Sequence, residues 1–208
     1  MKLYYHPASP FARKALIAAS LLGIELETQV VNLFAGEGQS PEFLRLNPQG
    51  KVPTLVDGEF ALWESNAIVQ YLAALAPNPQ LAPTDAKSQA DILRWQFWET
   101  SSFSPACMVY VYENVLKPIL GRGAADVEEL GKGAEKFHRF AKVLDEHLAA
   151  HPWLVGDGLT LADVCVATSL MYAEAGQYPL EDYPHITAWF AKIRQLPAWI
   201  ATEPPAAA

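Results

Sequence analysis

Between Ala76 and Pro83 the chain places prolines at positions 77, 79 and 83. No helix or strand crosses such a stretch easily, because proline lacks the N–H and clashes with the preceding turn. The hydrophobic period changes across it. Before the break, short β-prone runs alternate with helical stretches. After it, every apolar pattern repeats at helical spacing. The 208 residues therefore divide into an α/β part over about residues 1–76 and an all-helical part over about 85–208, within the usual size for one large or two small domains.

In the first part, Lys2–His6 reads as a strand and Pro10–Leu22 as a helix ended by Gly23. Glu27–Leu33 is Val- and Thr-containing and strand-like. Pro41–Leu46 is a short helix after a polar loop. Thr54–Val56 and Glu59–Trp63 flank the turn Asp57-Gly58, a strong hairpin signal. Ser65–Leu75 is helical. The order β-α-β-α-β-β-α implies an α/β layer with at least one parallel strand pair. In the second part, helical patterns cover Asp85–Val115 (interrupted around Ser101–Pro105), Asp126–Ala150, Leu161–Gly176 and His185–Gln195, with a frayed tail over Glu203–Ala208.

Composition excludes several functions. Hydrophobic residues make up 51% and charged ones 18%, enough for a full core and too apolar for a disordered chain. The net charge of −8 repels phosphate backbones and acidic lipid surfaces, so neither nucleic acid nor membrane is an expected partner. The acidity is concentrated after the break, so the first part is less hostile to a small anion. Cys107 and Cys165 form no C-x-x-C, so no disulfide framework or zinc site is expected and the chain suits a reducing cytoplasm. The N-terminus lacks a signal peptide's apolar run, and no stretch is long enough to span a bilayer.

The common nucleotide and hydrolase motifs are missing. There is no G-x-x-x-x-G-K-[ST], no strand followed by G-x-G-x-x-G, and no G-x-S-x-G. His147 and His151 share a helix face, but no H-E-x-x-H surrounds them, and no metal is expected. The aromatics Trp95, Phe97, Trp98, Phe103, Tyr110 and Tyr112 stand at helical spacing, which is the pattern of a core, with a minority available to line a pocket.

Three short segments carry chemistry. Ser9-Pro10 opens the first helix as an N-cap followed by proline at the first helical position. It is either a cap alone or also a hydroxyl beside a helix N-terminus, where a thiolate is stabilised. Val52-Pro53 precedes a strand. It is either a trans proline in a tight connection or a cis bond that exposes the Val52 backbone to a peptide-like ligand. Glu64-Ser65 opens the helix after the hairpin. It is either another cap or a clamp for a zwitterion, the carboxylate taking an ammonium and the serine a carboxylate.

These residues sit in longer motifs. NPQGKVPTL, the Asp57-Gly58 turn and LWESNAI, from Asn47 to Ile68, together with HPAS before Arg13-Lys14, resemble the cytosolic glutathione S-transferases. The resemblance covers nearly the whole chain. HPAS is similar to the serine-type phi class, and SPFAR to the omega segment, with Ser9 where omega has cysteine. Gly156-Asp157 before LTLAD is similar to the family's buried capping box, Thr160-x-x-Asp163. Two positions differ from phi: Gly36-Glu37-Gly38-Gln39 lacks the histidine usual in that loop, and Lys51 stands where glutamine is frequent. A serine-type protein, phi-like or bacterial, is implied.

The resemblance implies a thioredoxin-like N-terminal domain that binds glutathione and an all-helical C-terminal domain that carries the electrophile pocket. Ser9 would be catalytic, with Tyr4 and Tyr5 as rivals. Lys51, Val52, Pro53, Glu64 and Ser65 would bind glutathione, and Phe11, Phe34, Phe103 and Tyr110 would line the electrophile pocket. The implied activity is conjugation of glutathione, the co-substrate, to small hydrophobic electrophiles in detoxification, by a cytoplasmic homodimer. Two other readings remain: a non-catalytic binding or regulatory protein on the same fold, and a glutathione-dependent oxidoreductase.

Overall fold

The computed structural model describes residues 1–204. Its backbone contacts divide the chain into two units, one formed by residues 1–82 together with the segment from Gln195 onward, the other by residues 83–194.

The first unit is built on a four-stranded sheet, β1 (Lys2–Tyr5), β2 (Glu27–Val30), β3 (Thr54–Asp57) and β4 (Phe60–Trp63), in the order β2-β1-β3-β4. β1 pairs with β2 in parallel and with β3 antiparallel, Tyr4 standing opposite Thr54. β3 and β4 form the hairpin, with Thr54 opposite Trp63. The Asp57-Gly58 turn places Gly58 at φ 60°, where a side chain would be strained. Helices α1 (Pro10–Leu21), α2 (Pro41–Leu46) and α3 (Ser65–Leu75) complete the unit. Alanines at 12, 15, 18 and 19 are buried along α1, which lets that helix pack closely. Leu3 and Leu55 from the sheet, Ala15 and Ala19 from α1, and Ile68 and Leu72 from α3 form one core. Fully buried leucines and isoleucines of this kind contribute about 1.5–3 kcal/mol each.

The first unit also holds α10 (Pro197–Ala201), which the sequence pattern did not reveal. Arg13 on α1, 3% exposed, holds it in place. Its guanidinium donates to the Trp199 carbonyl at 2.7 Å and to the Thr202 hydroxyl at 3.2 Å, and lies 4.0 Å from the centre of the Trp199 ring. The final segment thus belongs with the α/β unit, and the expected 85–208 helical domain is shorter by that segment. Of the tail over Glu203–Ala208, the last four residues lie outside the described residues.

The second unit is helical, as expected. α4 (Ala86–Trp98), α5 (Ser104–Val111) and α6 (Lys117–Ile119) run on without a break. They are joined by widened turns at Glu99–Phe103 and Tyr112–Leu116, where Ser104 N–H reaches the Glu99 carbonyl and Lys117 N–H the Tyr112 carbonyl. The interruption expected at Ser101–Pro105 is such a turn. Pro105 and Pro118 each lack an N–H to give to the preceding turn, and an i→i+5 bond just upstream absorbs the mismatch. α7 (Val127–Ala150), α8 (Leu161–Ala167) and α9 (Pro184–Arg194) follow. α8 is shorter than its apolar pattern, because the chain tightens into a 3₁₀ turn at Thr168–Leu170.

Candidate functional site

The pairing registers bring the three informative segments to one end of the sheet. The loop after β1 leads to Ser9, the Val52-Pro53 bond leads into β3, and β4 leaves through Glu64 into α3. Because Tyr4 faces Thr54 and Thr54 faces Trp63, all three connections emerge at the same end.

Ser9 caps α1. Its backbone is extended, and its hydroxyl oxygen accepts the Ala12 N–H at 3.2 Å. The loop before it is held by two local bonds. Ser9 N–H donates to the His6 carbonyl at 2.9 Å, and the Ala8 N–H donates to His6 Nδ1 at 3.2 Å. The His6 ring meets Phe34 edge-on at 5.5 Å. His6 received no role from the sequence, although its place in a turn of polar and proline residues is the signal that marks it.

The Val52-Pro53 peptide bond is cis. Asn47, 2% exposed, holds the segment by donating through its side-chain amide to the Lys51 carbonyl at 2.7 Å and to the Thr54 hydroxyl at 3.0 Å. Gly50 turns the loop at φ 63°, and a side chain on Gly38 would stand 2.6 Å from the Gly50 carbonyl oxygen. The two loops therefore approach so closely that glycine is needed on both sides. Among the described residues, neither the N–H nor the C=O of Val52 has a partner, as backbone awaiting a peptide-like ligand would have. Lys51 is exposed beside it.

Glu64 adopts φ 74° and ψ 113°, a conformation that side chains rarely take, at a cost of about 1–3 kcal/mol. The strained residue delivers Ser65, 7% exposed, to the first position of α3. The neighbouring Asn66 accepts from Lys14 Nζ at 2.9 Å. Lys14 is fully buried, so it ties the first turn of α3 to α1. Neither this tie nor the Asn47 anchor was legible in the sequence.

The two tyrosines point to opposite faces, as alternation along a strand requires. Tyr5 packs on the core between the sheet and α1 and α3. Tyr4 packs on Val31, Phe43 and Val52. Among the four expected pocket aromatics, Phe11 is half-buried and Phe34 is 60% exposed. The other two lie in the interior of the second unit. Phe103 is fully buried and stacks on Trp98, and Tyr110, 7% exposed, packs against Phe137 and Tyr178. Aromatic spacing on a helix marks both a core and a pocket wall. Here the helices pack those rings inward.

Neither cysteine offers a reactive thiol. Burial, and then the charge of Glu99, push the Cys107 thiol well above its ordinary range. Cys165 is buried, and its sulfur accepts from the Gln96 amide at 3.3 Å. His147 and His151 stack at 4.4 Å, and each has a ring nitrogen near a carbonyl, those of Trp153 and His147 respectively. No described helix is long and apolar enough to cross a membrane.

The family model described as "Glutathione S-transferase, N-terminal domain" matches residues 1–74, and that for the C-terminal domain matches residues 107–197. Solved structures are similar over almost the whole length. A glutathione S-transferase III in its apo form is 33% identical, with 100% of this chain and 98% of that one covered and a TM-score of 0.86. A glutathione S-transferase from Xanthobacter autotrophicus is 32% identical, covering 95% and 94%, with a TM-score of 0.83. A glutathione S-transferase I bound with lactoylglutathione is 28% identical, covering 97% of each chain, with a TM-score of 0.88.

Proposed function

The chain belongs to the glutathione S-transferase family, and from that premise we propose that it conjugates the glutathione thiolate to small hydrophobic electrophiles, in the cytoplasm and as a homodimer. The observation that carries this reading is the convergence of a capping serine, an unpaired Val52 backbone and a strained Glu64-Ser65 at one end of the sheet. Val52 would pair with the peptide backbone of glutathione. Glu64 and Ser65 would hold its γ-glutamyl end, and Lys51 a carboxylate. Pro53, cis, would set the direction in which Val52 is presented.

Ser9 would donate its hydroxyl hydrogen to the thiolate while α1 directs the positive end of its dipole toward the same atom. A lower thiol pKa raises the fraction of nucleophile at neutral pH, and the thiolate attacks the electrophilic carbon as the leaving group departs. Phe11 and Phe34 supply apolar surface in the first unit for the electrophile. The oxidoreductase reading needs an active-site thiol. Ser9 supplies none, and both cysteines are buried.

The test is retention on immobilised glutathione followed by turnover of 1-chloro-2,4-dinitrobenzene. Retention with turnover is the expected result. Retention without turnover would leave the binding-protein reading, and loss of both would remove the glutathione assignment.

A further inference from the structure

The segment His6-Pro7-Ala8-Ser9 joins β1 to α1. Ser9 N–H closes it into a turn on the His6 carbonyl, so the Cα atoms of His6 and Ser9 lie within about 7 Å of each other. Thiol activation engages Ser9 and leaves the His6 imidazole unused. The ring is nonetheless fixed. The Ala8 N–H donates to its Nδ1 at 3.2 Å, and Phe34 meets it edge-on at 5.5 Å. A backbone N–H can only donate. Nδ1 therefore offers its lone pair, and in the neutral ring the proton sits on Nε2. Among the described residues Nε2–H has no partner. The half-buried ring thus holds a preset donor beside the exposed Phe34, where the electrophile is expected.

Such a donor discriminates between electrophiles. An alkyl halide passes the incoming charge to a large, soft leaving group that one N–H stabilises weakly. An α,β-unsaturated aldehyde collects the charge on a single oxygen, three bonds from the attacked carbon. A hydrogen bond to that oxygen strengthens as the charge develops, so it lowers the barrier and not merely the ground state.

We propose that His6 is a further catalytic residue. Its Nε2–H donates to the carbonyl oxygen of α,β-unsaturated aldehydes and ketones, which makes conjugate acceptors the favoured class of electrophile. The inference rests on the glutathione conjugation proposed above. The thiol proton leaves to solvent, the thiolate sulfur bonds to the β-carbon, and the π pair moves to the carbonyl oxygen as an enolate. Water then protonates the α-carbon, and no group departs. The Nε2 proton stays on the imidazole throughout.

Two amide side chains separate the two ring nitrogens. Asparagine places its oxygen near the position of Nδ1 and keeps an acceptor for Ala8 N–H, as in an Asx turn, but has no donor at Nε2. Glutamine reaches as far as Nε2 and keeps a donor there. The probes are trans-2-hexenal and 1-iodohexane, which have the same chain length, and the readout is kcat/KM for glutathione addition to each. Both probes are read on one preparation, so a partly folded variant does not disturb their ratio. His6→Asn should lower the hexenal-to-iodohexane ratio about tenfold to hundredfold, mostly through kcat. His6→Gln should keep most of it. The opposite pattern would assign the effect to the Ala8 bond and overturn the proposal. Equal ratios in all three proteins, or a wild type active on iodohexane alone, would overturn it too. A wild type inactive on both probes and on 1-chloro-2,4-dinitrobenzene would overturn conjugation itself, and this inference with it.

Discussion

Ser9 caps α1, and the thiolate contact proposed for it would be compatible with that cap because the two use opposite ends of the O–H group. The oxygen accepts from Ala12 N–H and caps α1, which leaves the hydrogen for a thiolate. Ser9→Ala removes both contacts. The bound thiol's pKa should rise by about one to two units, equivalent to roughly 1.5–3 kcal/mol. Turnover at neutral pH should fall by about one to two orders of magnitude, and stability by about 1 kcal/mol. Glutathione affinity should hardly change. The pH–rate profiles of both proteins check this, and identical profiles would move the role to Tyr4 or to the helix alone. The places of Ser9, Val52, Glu64 and Ser65 at the starts of α1, β3 and α3 were legible in the sequence because each sits in a short local motif. Arg13, Lys14 and Asn47 were not. Their partners lie as far off as Trp199, and no local pattern says that a lysine will be buried against a distant asparagine.

Elements were legible wherever the hydrophobic period is strong. Every strand and α-helix of the first unit up to Leu75 was expected, most within one residue of where it lies, although β2 stops three residues short of the expected Leu33 and the polar loop before α2 holds a 3₁₀ turn at Glu37–Gln39. The misses have local causes. Prolines 105 and 118 widen a continuous helix without ending it, and α10 is too short to show a period. α8 begins at the LTLAD segment, and there Asp163 gathers four donors at 2.9 Å: Leu154 N–H and Trp189 Nε1–H on one oxygen, Thr160 N–H and its hydroxyl on the other. Burial raises its pKa while those bonds pull it back. Asp163→Asn turns an NH₂ group toward donors already in place. It should lower unfolding stability by about 3 kcal/mol, measurable in urea, with catalysis per folded molecule unchanged. Near the end of α7, His147 predicts a pH effect. Its folded pKa lies below the unfolded 6.5, so below that pH the unfolded chain binds a proton that the folded one refuses. Stability should therefore decline as the pH falls from 6.5, and less steeply in His147→Gln.

For the molecule as a whole, exposed apolar surface is the informative feature. Leu93 and Phe97, 39% and 70% exposed, stand four residues apart on α4, and Phe60 and Leu75 of the first unit are each 49% exposed. Trp63, at the end of β4, is half-buried. A closed two-fold dimer covers such surface, and a stable one buries about 1,200–2,000 Å². Sedimentation at micromolar concentration should give twice the chain mass, with Phe97→Glu shifting the protein toward monomer. A monomeric wild type would sink the expectation.

The clasp between Arg13 and α10 also sets an order of events during synthesis. The carbonyl that Arg13 requires is made 186 residues after it, roughly ten to forty seconds later at ribosomal speeds. Until then a nascent chain holds a guanidinium with no final resting place, and a stop codon between α9 and α10 leaves it so permanently. The unit that residues 1–82 open is closed only by the segment from Gln195 onward.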